Sequence, residues 1–270
     1  MTVQPGAAGD STTALAVAAA FVEARATARA LRAFPGALPR SLPEAYACQE
    51  AAIRLWPDEI AGWKVGRAPV AAGGTEAERL AGPIFRRAVR SADHSVVRFP
   101  VFVAGFAAVE AEFVFEIAAD APPEKLRWTD AEARAAVAAL RVGVELAGSP
   151  LAAINALGPE AVVADFGNNN GLIVGPPLPH WREIDPAELE VEARVEGRLV
   201  GRGSAGDLLG GPIEALRWLL EHCAARGRPL RRQQLVSTGA ATGIHEIAAG
   251  QRAEIRFGIH GTIRCEAESA

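Results

Sequence analysis

The chain has 270 residues, half of them apolar, with a formal net charge of −4 and a pI near 5.8. That length builds one sizeable core or two small domains, and the mild acidity leaves no electrostatic footprint for nucleic acid or an anionic membrane. Cys48, Cys223 and Cys265 are odd in number, far apart and free of any CxxC, which argues against a disulfide framework and for a reducing compartment.

Residues 1 to 10 are rich in Gly and Ala with little to bury, and a frayed end is expected. Residues 12 to 33 are Ala-rich with Leu15, Phe21 and Leu31 to bury, which predicts a helix capped by Ser11 or Thr12. Its apolar core, 14 to 22, is too short to span a bilayer and runs on into Glu23 and Arg25, so a cytoplasmic protein is expected. Three prolines between 34 and 43 end the helix, and a second is predicted from Leu42 or Pro43 to Leu55, stopped by Trp56-Pro57-Asp58.

Ile60-Ala61-Gly62-Trp63-Lys64-Val65-Gly66 reads as a short strand with one lysine among apolar neighbours. Such a lysine is either a surface residue at a strand end or a buried group with chemistry to do. A turn is expected at 71 to 74, and strand-rich sequence begins near Val96.

The run from Val109 to Glu116 sets acids two residues apart among β-prone apolar residues. A strand turns Val109, Ala111, Phe113 and Phe115 to one face and Glu110, Glu112 and Glu116 to the other. Like charges converging on a buried face need a positive partner, and a hard dication held by one or two carboxylates is one solution. A solvated edge strand is the other, and the spacing alone leaves both open.

Thr129-Asp130-Ala131-Glu132 is a capping box that predicts a helix to about Leu140. The following strand, 141 to 146, carries Glu145 as its one acid and supplies a third candidate ligand. Residues 161 to 171 read as a polar loop containing Asp165, Phe166 and three asparagines. Glu190 and Glu192 form a second E-x-E, but Arg194 shares their face and a solvated hairpin strand is expected, turned by Glu196-Gly197.

Gly201-Arg202-Gly203-Ser204-Ala205-Gly206 matches a dinucleotide-binding glycine pattern. That motif requires the glycine turn to open directly into a helix, whereas the next helix is predicted to start only at Pro212, so a nucleotide site is not expected. Arg226, Arg228, Arg231 and Arg232, broken by Gly227 and Pro229, read as a solvated loop. Strands and a hairpin follow to the end, and the 237 to 243 loop offers hydroxyls and backbone N–H groups to a carboxylate, or forms a tight structural turn. None of the five histidines has ligand spacing.

In order along the chain, Ala45-Tyr46-Ala47-Cys48-Gln49, Gly62-Trp63-Lys64-Val65-Gly66, Val109-Glu110-Ala111-Glu112 and Ser237-Thr238-Gly239 resemble the 2-keto-4-pentenoate hydratase and 4-oxalocrotonate decarboxylase family, a branch of the fumarylacetoacetate hydrolase superfamily. The resemblance implies an α+β chain: a mixed β-sandwich roll carrying the site over residues 96–270, preceded by a smaller helical part over 1–95. It also implies Mg²⁺ or Mn²⁺ on Glu110, Glu112 and Glu145, Lys64 as the catalytic group, and substrate contacts from Asp165, Phe166, Thr238 and Thr242. The implied activity is water addition to a short 2-hydroxydienoate in aromatic catabolism, with 2-oxo acid decarboxylation, acylpyruvate C–C hydrolysis or a non-catalytic partner subunit as alternatives. The expected partners are a small 2-oxo or 2-hydroxydienoic acid and further copies of the chain, with neither nucleic acid nor membrane. Two departures stand out. Many members have Pro-Asp-(Phe or Tyr)-Gly where this chain has Arg79-Leu80-Ala81-Gly82, and Asp-Asn where it has Asp165-Phe166.

Overall fold

The computed structural model describes residues 7–67, 79–93 and 95–270, with side chains from residue 12 onward; the expected turn at 71 to 74 lies outside them. Helix α1 (Ala7–Ala26) begins earlier than its candidate caps, because Ala7 and Ala8 extend the helix back past Ser11 and Thr12. It also stops earlier than expected, at a left-handed Ala28 (φ 51°). Helix α2 (Leu42–Leu55) has the predicted bounds, with the Ser41 hydroxyl accepting from the Glu44 amide and proline in the first turn.

Next come β1 (Ile60–Arg67), β2 (Arg79–Phe85), β3 (Val89–Ser91), β4 (Val96–Val101) and β5 (Phe106–Ile117). The capping box at Thr129 forms, but α3 (Asp130–Ala135) is a short helix. From Val137 the chain pairs with Ile117 and becomes β6 (Val137–Ser149), so tertiary pairing overrides helix propensity there. The expected polar loop after residue 161 holds instead α4 (Pro159–Ala164) and a tight turn leading into β7 (Asn169–Pro177). The hairpin β8 (Glu190–Val195) and β9 (Arg198–Ser204) turns at left-handed Glu196 and Gly197, and Glu192 meets Arg202 and Arg194, as a solvated face requires. Helix α5 (Gly211–Ala225) opens with Pro212. Strands β10 (Leu235–Ser237), β11 (His245–Glu246), β12 (Arg252–Arg256) and β13 (Thr262–Ser269) complete the chain.

Among the described residues two sheets form. One runs β2-β1-β10-β5-β6-β7-β3, with β11 added to β5, and the other runs β4-β13-β12-β8-β9. The boundary expected between 95 and 96 falls between β3 and β4, and β1 and β2 join the sheet that carries β5 and β6. Alternation along β5 sends Val109, Ala111, Phe113 and Phe115 into the main core, where Phe113 meets Phe257 edge-on at 5.6 Å. On the other face Leu80, Ala108 and Ala147 pack with residues of α1, α2 and α4. Glu110 and Glu112 therefore point into a layer covered by helices rather than into solvent. No described helix is long and apolar enough to cross a membrane.

Gly82 fixes how this layer closes. It pairs with Lys64 across β1 and β2, and a Cβ there would run into the Phe166 carbonyl. Gly82→Ala should destabilise by roughly 3 kcal/mol, because backbone on both sides must move. A urea unfolding midpoint equal to wild type would contradict this.

Candidate metal centre

Three carboxylates converge where β5 and β6 run side by side. Glu110 and Glu145 are directly opposed, and Glu112 is opposite Gly143, where a side chain would run into Val114. One oxygen from each acid lies within 4.8 Å of the others, and all three residues are buried at 5% exposure or less. Glu116, next along the same face, instead pairs with Arg141 at 3.2 Å.

Neighbouring elements aim each acid. Glu112 Oε2 accepts from the Ser237 hydroxyl at 2.5 Å and the Gly239 N–H at 2.9 Å. The loop whose donors suggested a ligand carboxylate thus holds one of the protein's own. Glu145 Oε1 accepts from Asn169 Nδ2 at 3.0 Å and lies 3.4 Å from Lys64 Nζ. The remaining oxygens, Glu112 Oε1 and Glu145 Oε2, are buried without a hydrogen-bond partner among the described residues. Buried carboxylate oxygens left without partners are costly, and with three carboxylates converging they make a hard-cation donor set. A dication together with Lys64 would neutralise the three carboxylates, so the residues fit such an ion.

The protonation tendencies agree. Burial, followed by the charge of Glu145, lifts Glu110 from its ordinary 4.5 to about 8, and burial with the charges of Glu145 and Glu110 lifts Glu112 well above its ordinary value. Burial opposes the Lys64 charge, but Glu145, Glu110 and Glu112 outweigh it and raise its pKa. In EDTA the folded chain therefore keeps the Glu110 proton between pH 4.5 and about 8, where the unfolded chain has released it. Stability should fall as pH rises through that window, by up to about 1.4 kcal/mol per pH unit while the difference lasts. Urea unfolding in EDTA at pH 5, 6.5 and 8 checks the sign, and rising stability would contradict it.

Of the triad, Glu110 reaches the wall of a cavity of about 290 Å³, lined also by Lys64, Leu80, Thr238, Arg67 and Arg79, among others. Thr238 lies on its wall with its hydroxyl donated to the Phe113 carbonyl. Thr242 lies outside the lining, its hydroxyl 3.0 Å from His245 Nε2. Asp165 and Phe166 also lie outside it. Asp165 is fully buried in an ion pair with Arg25 at 2.5 Å, and Phe166 packs edge-on against Phe85. Sequence reasoning did not single out Asn169 or the Arg67 and Arg79 pair. The run Asn168-Asn169-Asn170 was a signal for the first, and the second needed the β1 and β2 register.

No family model matches the chain. It is 31% identical over 141 residues to a 4-oxalocrotonate decarboxylase from Pseudomonas sp, a match covering 52% of this chain and 50% of that protein, about half of each. The structure of 4-oxalocrotonate decarboxylase from Pseudomonas putida G7, complexed with magnesium and adipate, superimposes with a TM-score of 0.75 over 95% of this chain and 97% of that one, at 20% identity. Fumarylpyruvate hydrolase from Pseudomonas aeruginosa, in complex with Mn²⁺ and pyruvate, matches with a TM-score of 0.55 over 77% and 89%, at 18% identity. The chain shares the fold of these enzymes over most of its length, and its sequence match, over half of each chain, is to a member of the family that the motifs resemble.

Proposed function

We propose that this protein is a divalent-metal-dependent lyase that decarboxylates a short unsaturated 2-oxo dicarboxylic acid of the 4-oxalocrotonate type. The charge layout of one cavity carries the reading. Glu110, the one acid of the triad on its wall, and Lys64 border it at one place, while Arg67, three residues further along β1 and roughly 10 Å away, borders it at another with Arg79.

Glu110, Glu112 and Glu145 are the residues that would hold the ion, and the relatives with magnesium and manganese support those two metals. When bound, the ion supplies a Lewis acid for the carbonyl oxygen of a chelating 2-oxo acid. Lys64 is placed beside Glu145 to bind the substrate carboxylate or to carry a proton to and from the reacting dienol.

Arg67 and Arg79 face each other directly across β1 and β2, an unfavourable pairing of like charges without an anion. Arg67 has no acidic partner among the described residues. Arg79 reaches Glu214 only at 3.7 Å, and that carboxylate is already taken by two nitrogens of Arg217 at 2.6 and 2.8 Å. A second substrate carboxylate suits that end. Because a guanidinium stabilises the carboxylate before it leaves, the pair acts in recognition, and its loss should appear in KM rather than kcat.

Leu80 stands at the position of the family acid, buried and on the same strand face as Lys64. Among the described residues the one other acid on the wall besides Glu110 is Asp207, which accepts from the Ser204 amide and hydroxyl. Water addition calls for a positioned base, and the wall offers little choice of one. Decarboxylation needs none: the C–C bond to the distal carboxylate breaks, its electron pair passes through the conjugated chain to the C2 oxygen, and CO₂ leaves.

Hydration of a 2-hydroxydienoate is the second reading, favoured by the same acids and lysine. The test supplies 4-oxalocrotonate and 2-hydroxypenta-2,4-dienoate in parallel with Mg²⁺. Release of CO₂ from the first without consumption of the second is the expected result. Consumption of the second alone would overturn decarboxylation in favour of hydration.

A further inference from the structure

Outside the cavity's lining, and joined to Glu145 through Asn169, lies a buried polar cluster that the reaction does not use. Arg25, in the last turn of α1, has a side chain only 4% exposed. Its Nε donates to Asp165 Oδ1 at 2.5 Å, its Nη2 to the Asp165 and Gly148 carbonyls at 3.2 and 2.9 Å, and its Nη1 to the Asn169 carbonyl at 3.0 Å. The Ser149 hydroxyl donates to the other Asp165 oxygen at 2.6 Å.

What this cluster holds is strained. Phe166, Gly167 and Asn168 follow one another in the left-handed region, with φ of 56°, 64° and 51°. For a residue with a side chain that conformation costs roughly 1–2 kcal/mol, and it persists only where the surroundings impose it. The Asp165 carbonyl, which Arg25 grips, also accepts from the Asn168 amide at 2.8 Å and so closes the turn. Directly after the turn comes Asn169. Its backbone carbonyl is held by Arg25, while its side chain donates to Glu145 at 3.0 Å and accepts from the Gly171 amide at 3.1 Å.

We infer that Arg25 is a positioning residue for the acid triad: it pins the left-handed turn so that Asn169 keeps Glu145 oriented. The inference rests on reading the triad as a divalent-ion site. Gly148 lies three residues beyond Glu145 on β6, so one guanidinium ties together the strand bearing the acid and the residue that aims it. Stability alone is a weak reason for such a pair, because apolar replacement of a buried ion pair is often neutral or stabilising, whereas removing one partner is not. An outer donor to a metal ligand, by contrast, is worth about 10- to 100-fold in metal affinity.

The test is calorimetric titration with Mg²⁺ of wild type, the double replacement Arg25→Met with Asp165→Leu, Asn169→Ala, and all three changes combined. The double replacement should melt at or near the wild-type temperature yet bind Mg²⁺ about tenfold more weakly. On the Asn169→Ala background it should cost nothing further, within about twofold, because the route through Asn169 is already gone. Wild-type affinity in the folded double variant, or losses that simply add, would overturn the inference. Should the double variant not fold, Arg25→Lys keeps a charge opposite Asp165 but cannot span both strand carbonyls, and the same tenfold loss is expected; unchanged affinity there overturns it equally. A wild-type protein that takes up no Mg²⁺ removes the ion-site reading itself, a result distinct from a wild type that binds and variants that bind alike.

Discussion

Lys64→Met should lower turnover of the 2-oxo acid by about 10²- to 10³-fold, the scale of a positioned acid–base group, while Mg²⁺ affinity stays level or improves. Lys64 is 4% exposed and 3.4 Å from Glu145, and the three acids keep it charged against the pull of burial. Methionine keeps the length of the apolar stem and removes only the charge and its donors. Taking a positive charge away from a cation site cannot weaken it electrostatically, so the loss belongs in kcat. Steady-state kinetics at saturating Mg²⁺ beside a calorimetric titration separate the two effects. Turnover within a few-fold of wild type would remove Lys64 from the chemistry.

Glu112→Gln should abolish ion binding and with it metal-dependent activity, while the metal-free protein becomes more stable. The hydrogen bonds dictate how the amide sits. The Gly239 N–H needs an acceptor at the Oε2 position, so the new NH₂ group is turned to the place of Oε1, the buried oxygen left without a hydrogen-bond partner among the described residues. A donor there repels a cation instead of binding it. Without an ion, a neutral amide removes the cost of keeping a proton on a carboxyl that burial and the charges of Glu145 and Glu110 push well above its ordinary pKa. Thermal unfolding should therefore show a higher melting temperature than wild type in EDTA and no upward shift on adding Mg²⁺, where the wild type shifts with ion concentration. A variant that still gains stability from Mg²⁺ would contradict the assignment of Glu112 to the ion.

The sequence showed as much of this arrangement as side-chain alternation can carry. Period-two patterning put Glu110 and Glu112 on one face of β5, and a lone acid in an apolar strand marked Glu145, but the direct pairing of Glu110 with Glu145 is a matter of register, which a turn or a bulge can shift by a residue. The α3 helix shows a second limit. Its capping box is real, yet strand pairing from Val137 outweighed local propensity. Asp165 shows a third: a loop acid read from sequence gives no hint that an arginine 140 positions earlier will meet it, because α1 reaches that turn only through tertiary packing. The β1 and β2 register likewise made Arg67 and Arg79 neighbours, which composition could not.

The account stands on three buried acids being a divalent-ion site, and titration of the metal-stripped protein with Mn²⁺ tests that most directly. It predicts one ion bound per chain, with protons released on binding because Glu110 and Glu112 hold protons when no ion is present. A protein that binds no Mn²⁺, or binds it equally well after Glu112→Gln, would contradict it.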